Sequence, residues 1–308
     1  MRISEISDSK VLYAALNWGM GHVSRSISII SELISNKNEV IIAGSETQKY
    51  IFLEYFPNLD YLTLADYPFE FKGNGNFAFD LLRSGLKLNE HLKYERMLTE
   101  EIVRTRNINI VLSDHRYGFI SSEVPSVFIT HQINLPVKWY QQKANSLHCK
   151  LMQKFDAVWV VDREDNFFAG KLSQNKGGLN AHYIGPRSRF EQCISQDGEN
   201  VVAIISGPPP YDQQLLDGII KNLENKSVII VGNDHLDLKG TTGIKLVTGS
   251  WKERDELIVS ASRLISRSGY STIMDAYFLK KELIMIPTPG QVEQQYLYNL
   301  WKDRSLSY

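Results

Sequence analysis

The chain is expected to be an α/β protein built from two doubly wound domains, and three observations carry that expectation. Apolar runs of about six residues alternate with stretches of helical periodicity, as parallel strands joined by crossover helices require. Two of these runs, ending near Leu16 and at Ser266, lead through a glycine-containing turn into a helix. The 308 residues, 43% of them hydrophobic, suffice for two buried cores.

Composition narrows the function classes. The net charge is -1 with no block of like charge, so nucleic acid is not an expected partner, because phosphate-backbone binding needs a basic face. The two cysteines, Cys149 and Cys193, have neither metal-ligand spacing nor a disulfide pattern, and no metal site is expected. No leader precedes the first apolar run, and no run approaches the roughly 20 residues that span a bilayer. A cytoplasmic protein is expected; peripheral contact with the inner face of the membrane stays open.

In chain order, Val11 to Leu16 reads as a strand, Asn17 to His22 as a glycine loop, and Val23 to Ile34 as a helix. Gly19 and Gly21 hint at a dinucleotide fingerprint, but the third glycine is missing and His22 stands at the helix start. An imidazole with an ordinary pKa of about 6.5 accepts a proton from a hydroxyl at neutral pH, so His22 is the first candidate base. Its bland alternative is a histidine that caps the helix. Arg25, one turn on, faces either an anionic acceptor or solvent. Glu39 to Ala43 is the next strand, and Tyr61 to Asn76, rich in Gly, Pro and aromatics, reads as a long functional loop. There Tyr67, Phe69 and Phe71 either line a site or pack as core. Phe77 to Arg106 is helical, with Lys87, Lys93, Arg96 and Arg104 on its solvated face.

Ile108 to Leu112 is a buried strand that delivers Ser113, Asp114, His115 and Arg116 just past its end, where polar residues of parallel sheets meet ligands. Asp114 either orients a base or caps a turn. Ser126 to Thr130 is another strand and delivers His131. Trp139, Tyr140 and Lys143 lie on the following helix, and Phe155 to Val161 is a further strand. The first domain is expected to span residues 1–189 and the second 190–308.

The second domain opens with the strand Val201 to Ile205, followed by Ser206, Gly207 and three prolines, each of which lacks an N–H. Val228 to Gly232 and Ile244 to Val247 are strands, and Trp251 precedes an acidic helix start. Next come a strand from Leu264 to Ser266, a helix from Tyr270 to Leu279, a strand from Leu283 to Ile286, and a last helix from Gln291. Ser268, Gly269, Ser271 and Thr272 place hydroxyls and N–H groups at a helix N-terminus, which suits a phosphate. Asp275, a turn further on, is within reach of a ribose diol. Glu293, Gln294 and Gln295 suit sugar hydroxyls. The ordered series points to a nucleotide sugar.

These residues resemble family 28 glycosyltransferases, the peptidoglycan N-acetylglucosaminyltransferase group among them. The resemblance runs through Arg267-Ser268-Gly269, Thr272, Asp275, Pro287 and the Gln294-Gln295 pair, and again through G-M-G-H-V-S-R at 19–25. Some bacterial members also carry the H-Q found at His131. The resemblance implies the GT-B fold, two Rossmann-like domains facing a cleft. It makes His22 the catalytic base, with Asp114 and His131 as further catalytic candidates, and Gly19, Gly21 and Arg25 the acceptor-side loop. Donor contacts fall on Ser206, Gly207, Trp251, Arg267, Ser268, Gly269, Thr272, Asp275, Glu293, Gln294 and Gln295; in that family the acidic residue holds the ribose, and Trp251 either flanks the base or packs as core. Arg187 to Phe190 resembles the interdomain linker. This chain has Asp275 where the peptidoglycan enzyme has Glu, and T-P-G-Q-V in place of an aromatic and basic loop. Family members continue past the position of Trp301, so the second domain is expected to lack its last helices.

The implied function is inverting, metal-independent transfer of a hexose, N-acetylglucosamine in first place, from a UDP-sugar, with no cofactor. The acceptor is a glycan, a lipid-linked glycan or a small molecule. Two other readings fit the same residues: a non-hydrolysing UDP-sugar 2-epimerase, and a non-catalytic nucleotide-sugar-binding subunit that needs a partner.

Overall fold

The computed structural model describes residues 1–17, 21–68, 85–136, 142–222, 228–241 and 244–304. One compact unit carries the sheet formed by residues up to Arg187, and a second begins at Ser188. The first contains β1 (Lys10–Ala15), α1 (Gly21–Ser35), β2 (Glu39–Gly44), α2 (Glu46–Tyr55), β3 (Asp60–Thr63) and α3 (Gly85–Arg106). These are followed by β4 (Ile110–Asp114), β5 (Ser126–Thr130), α4 (Gln142–Met152), β6 (Ala157–Val160) and β7 (Ala181–Tyr183). Its seven strands lie in the order β3-β2-β1-β4-β5-β6-β7, every pair parallel.

Burial explains the strands. Val11 through Ala15 are fully buried, as both faces of a parallel sheet must be when helices cover them. On α1, Val23, Ile27 and Ile30 form the inward stripe. Three differences from the sequence expectations have local causes. Helix α2 was not expected, yet Ser45 and Gln48 form a reciprocal capping box at its start. Tyr61 to Thr63 belong to a strand rather than a loop, because they pair with Ile42 to Gly44. Strand β4 runs through Asp114, so Ser113 and Asp114 are its last residues, not the turn beyond it. Gly19, Phe69, Phe71, Trp139 and Tyr140 fall outside the described residues.

The second unit contains β8 (Val201–Ile204), α5 (Tyr211–Lys221), β9 (Val228–Val231), β10 (Lys245–Val247), α6 (Trp251–Val259) and β11 (Arg263–Ser266). It continues with α7 (Tyr270–Phe278), β12 (Glu282–Met285) and α8 (Val292–Trp301). The parallel order is β10-β9-β8-β11-β12. Ala203, Leu215, Leu216 and Ile230 form its core on one face, and Leu297 and Trp301 anchor α8.

Both sheets reverse their winding direction next to their first strand: between β1 and β4 in one unit, between β8 and β11 in the other. At such a switch point the loops leave in opposite directions and open a crevice at the carboxyl ends of the strands. His22 and Asp114 flank the first switch point, and Ser206 and Ser268 the second.

Candidate functional site

In the first unit, α1 holds His22 by its first turn. Ser26 Oγ donates to the His22 carbonyl at 2.7 Å, and the buried Tyr13 hydroxyl donates to Ser26 at 2.8 Å, tying that turn to β1. His22 Nδ1 meets Asp114 Oδ1 at 2.8 Å. Arg25 grips the same carboxylate from the other side, with Nε donating to Oδ2 at 2.7 Å and Nη2 to Oδ1. Its Nη1 donates to His131 Nδ1 at 2.7 Å. Asp114 is 0% exposed, Arg25 1%, His131 7% and the His22 side chain 14%. Arg25 therefore reaches neither solvent nor an acceptor through those nitrogens; it fixes the two groups beside it.

Burial and the neighbouring charges shift the titration of this pair. Burial pushes the Asp114 carboxyl up, but Arg25 and then His22 outweigh it and hold it at about 2. Burial and Arg25 hold His22 below the ordinary histidine range, against the pull of Asp114. Ionised Asp114 and Arg25 Nη2, the latter at 2.9 Å, both face Nδ1; with the Nδ1 proton directed to the carboxylate, Nε2 carries the lone pair of the neutral ring. His131, whose Nδ1 accepts from Arg25, is a neighbour of this pair.

Sequence reasoning singled out Asp114 but not its support. Arg116 Nε donates to Glu95 at 2.5 Å and Tyr67 donates to the other Glu95 oxygen at 2.7 Å, a buried cluster that clamps α3 onto the turn after β4. Tyr67 is thus a core residue. His115, in the same turn, packs edge-on against His22 with ring centroids 5.4 Å apart. Four polar residues in a row, Ser113 to Arg116, were the available signal; nothing in their order says which are buried.

In the second unit, Gly269 precedes α7, no side chain caps that helix, and a Cβ at Gly269 would meet open space. The dipole of α7 makes its N-terminus electropositive, which suits an anion there. Gly207 sits at φ 116°, a conformation that lets the loop after β8 turn sharply. Ser268 Oγ donates to the Gln294 carbonyl at 2.8 Å, and Gln294 Oε1 accepts from Thr288 N at 2.8 Å. The structure thus joins the loops after β11 and β12, at the expense of both side chains. Arg267 is buried and donates to the carbonyls of Tyr211, Ile286 and Pro287, so it ties loops together. Thr272 and Glu293 are half-buried and Gln295 is exposed.

Asp275 and Trp251 come together through a residue that the sequence placed in the linker. Arg189 donates to Asp275 Oδ2 and to Asp255 Oδ1, each at 2.7 Å, and its guanidinium lies over the Phe190 and Trp251 rings. Ser188 donates to Asp275 Oδ1 at 2.5 Å. Both oxygens of the expected ribose-binding carboxylate are engaged.

Among the described residues, no group of three or more His, Cys, Asp or Glu side chains is arranged to hold a metal ion, and no helix is long and apolar enough to cross a membrane. Residues 220–300 match the glycosyltransferase family 28 C-terminal domain. No curated protein matches the chain. Among solved structures the chain is similar to UGT89C1 of Arabidopsis thaliana complexed with quercetin, with a TM-score of 0.61 at 11% identity over 96% of this chain and 83% of that one. It is also similar to the glycotransferase of kitacinnamycin (0.60, 11%, 94% and 84%). MurG of Acinetobacter baumannii follows (0.52, 12%, 96% and 83%). At these identities the likeness shows a shared fold, the GT-B fold expected from the sequence. The family match and that fold together support a glycosyltransferase.

Proposed function

We propose that this protein is an inverting glycosyltransferase that moves a hexose, N-acetylglucosamine in first place, from a UDP-sugar to an acceptor hydroxyl without a metal ion. The observation that carries the reading is the His22–Asp114 pair at the switch point of the first sheet, 2.8 Å apart, with no partner for His22 Nε2 among the described residues. Nε2 takes the proton of the acceptor hydroxyl as its oxygen attacks the anomeric carbon from the face opposite the leaving UDP. The carbon–oxygen bond to the diphosphate then breaks with inversion, and Asp114 stabilises the imidazolium that forms. The negative charge that develops on the diphosphate falls to the N–H groups around Ser206, Gly207 and Gly269 and to the N-terminus of α7, which take the place of a cation.

In this reading a ribose diol replaces the Ser188 hydroxyl and one Arg189 N–H on Asp275. Glu293 and Gln295 serve the sugar, Trp251 flanks the base, and Gln294, Ser268 and Arg267 hold the loops. The fold neighbour UGT89C1 has been solved with UDP and with UDP-L-rhamnose, which supports a uridine nucleotide. The test is calorimetric titration with UDP and UDP-N-acetylglucosamine, then UDP release from the sugar nucleotide in the presence of a panel of hydroxyl acceptors, with His22→Ala as control, with and without EDTA. Micromolar UDP binding and turnover that His22→Ala abolishes and EDTA leaves intact are expected. No binding of any uridine nucleotide removes the donor assignment, and an epimerised sugar nucleotide without acceptor removes the transfer.

A further inference from the structure

His115 takes no part in the bonds among His22, Asp114 and Arg25, yet its ring stands against the ring of the base, at 5.4 Å and 65°. Its backbone is left-handed, φ 62°, a conformation that glycine or asparagine adopts at lower cost. The ring is held by Phe128 at 5.4 Å and by a stacked His148 at 6.1 Å. Its hydrogen bonds define its chemistry. Thr130 Oγ1 accepts from Gln132 N at 2.8 Å and donates its only hydrogen to Gln132 O at 3.1 Å. With the Thr130 hydrogen on Gln132 O, His115 Nε2, 2.7 Å from the same Thr130 oxygen, is the donor. The proton is on Nε2, and Nδ1 carries a lone pair. Among the described residues Nδ1 has no partner, and it is not one of the buried unpaired atoms, so it lies at the exposed part of a half-buried side chain. Burial holds this imidazole neutral, well below the ordinary histidine range, so the lone pair persists at neutral pH.

We propose that His115 binds the acceptor: its Nδ1 accepts the O–H of a hydroxyl next to the one that His22 deprotonates, so the acceptor carries hydroxyls on neighbouring carbons, as a sugar or polyol does. The proposal rests on the glycosyl-transfer reading above. A residue that served only as ring packing would have no use for a nitrogen left without a partner, nor for a left-handed backbone that a smaller residue adopts more cheaply.

The test uses the full chain, UDP-N-acetylglucosamine as donor, and two acceptor probes that differ by one hydroxyl, trans-cyclohexane-1,2-diol and cyclohexanol. The diol is expected to show a KM about tenfold below that of cyclohexanol, the worth of one buried hydrogen bond. His115→Phe keeps a ring and removes the nitrogen, so the preference should vanish. His115→Asn loses the ring but tolerates the left-handed backbone and keeps a polar atom near the Nδ1 position, so it should retain most of the preference. Equal KM values in the parent protein, a preference that survives His115→Phe, or glycosylation of neither probe by protein that binds UDP and releases it from the donor, each overturns the proposal. An independent readout needs no variant: the ¹⁵N resonance of His115 Nδ1 should shift upfield when the diol binds, and an unmoved resonance counts against it. Failure to bind UDP at all would instead remove the underlying glycosyl-transfer reading.

Discussion

Asp114→Asn is the substitution that the geometry makes most informative. The carboxylate does two jobs: it accepts the His22 Nδ1 proton at 2.8 Å and neutralises an Arg25 that is 1% exposed. The asparagine amide has nearly the same shape and no charge. An imidazolium and a carboxylate about 4 Å apart attract by about 4 kcal/mol at an effective dielectric of 20. Losing that attraction in the transition state costs two to three orders of magnitude in rate, at about 1.4 kcal/mol per decade. Arg25 remains, so His22 loses the one neighbour that raises its pKa, and the acid limb of the pH–rate profile should move to lower pH. Leaving Arg25 buried without a counter-charge should also cost about 3–5 kcal/mol of stability.

The assay is UDP release from UDP-N-acetylglucosamine as a function of pH, on protein shown to be folded by circular dichroism. Replacing both partners, Asp114→Asn with Arg25→Met, should recover much of the stability and none of the rate, because no buried charge is then stranded. A fall of less than about fivefold in folded Asp114→Asn protein, or an acid limb that stays in place, would refute the role assigned to Asp114.

Four further outcomes follow from the same geometry. Wild-type turnover should persist below pH 6.5 before it falls, because burial and Arg25 hold the His22 pKa below the ordinary value; a limb at or above 6.5 in the pH–rate profile would contradict this. Stability should be lost on acidification. An unfolded His148 gains its proton near 6.5, whereas the buried one waits until about 4. The contribution is complete above pH 6.5 and disappears as pH falls through that window, about 3 kcal/mol in all, with His22 and His115 acting in the same direction. Urea midpoints at pH 7.5 and 5 measure it. Arg267→Met should strand the carbonyls of Tyr211, Ile286 and Pro287, lowering the melting temperature by several degrees and weakening UDP binding at least tenfold, with partial recovery in Arg267→Lys. Gly207→Ala meets no steric contact but must hold φ 116°, so a cost of about 1–2 kcal/mol and weaker UDP binding are expected from the backbone alone.

Much of the fold was legible because its signals are local. The strand at Val11, the helix starting at Tyr270 and the final helix after Gln291 were each placed within a residue or two, since a buried parallel strand shows as an apolar run and a helix start shows as a turn residue followed by 3.6-residue periodicity. Helix α2 escaped because its apolar residues, Tyr50 to Leu53, run consecutively without helical spacing, and β3 because its four residues are stabilised by pairing with β2, not by their own pattern. His22 and Asp114 were both picked out one at a time. Their partnership was not visible.

By itself the sequence determined two doubly wound units, the order and type of most of their elements, and the chemical kind of residue that each strand end presents. It could do so because hydrophobic period, turn chemistry and helix starts act over a few neighbouring residues. Only the tertiary structure decided which of those residues meet. Asp114 reaches His22 and Arg25 across about ninety positions, and Arg189 reaches Asp275 across a similar gap, as separations of 92, 89 and 86 residues attest. Such pairs depend on strand order and register, which the whole sheet sets at once. The protonation proposed for His22, and that proposed for His115, rest on burial and partners brought together by that packing, and no stretch of sequence read alone contains them.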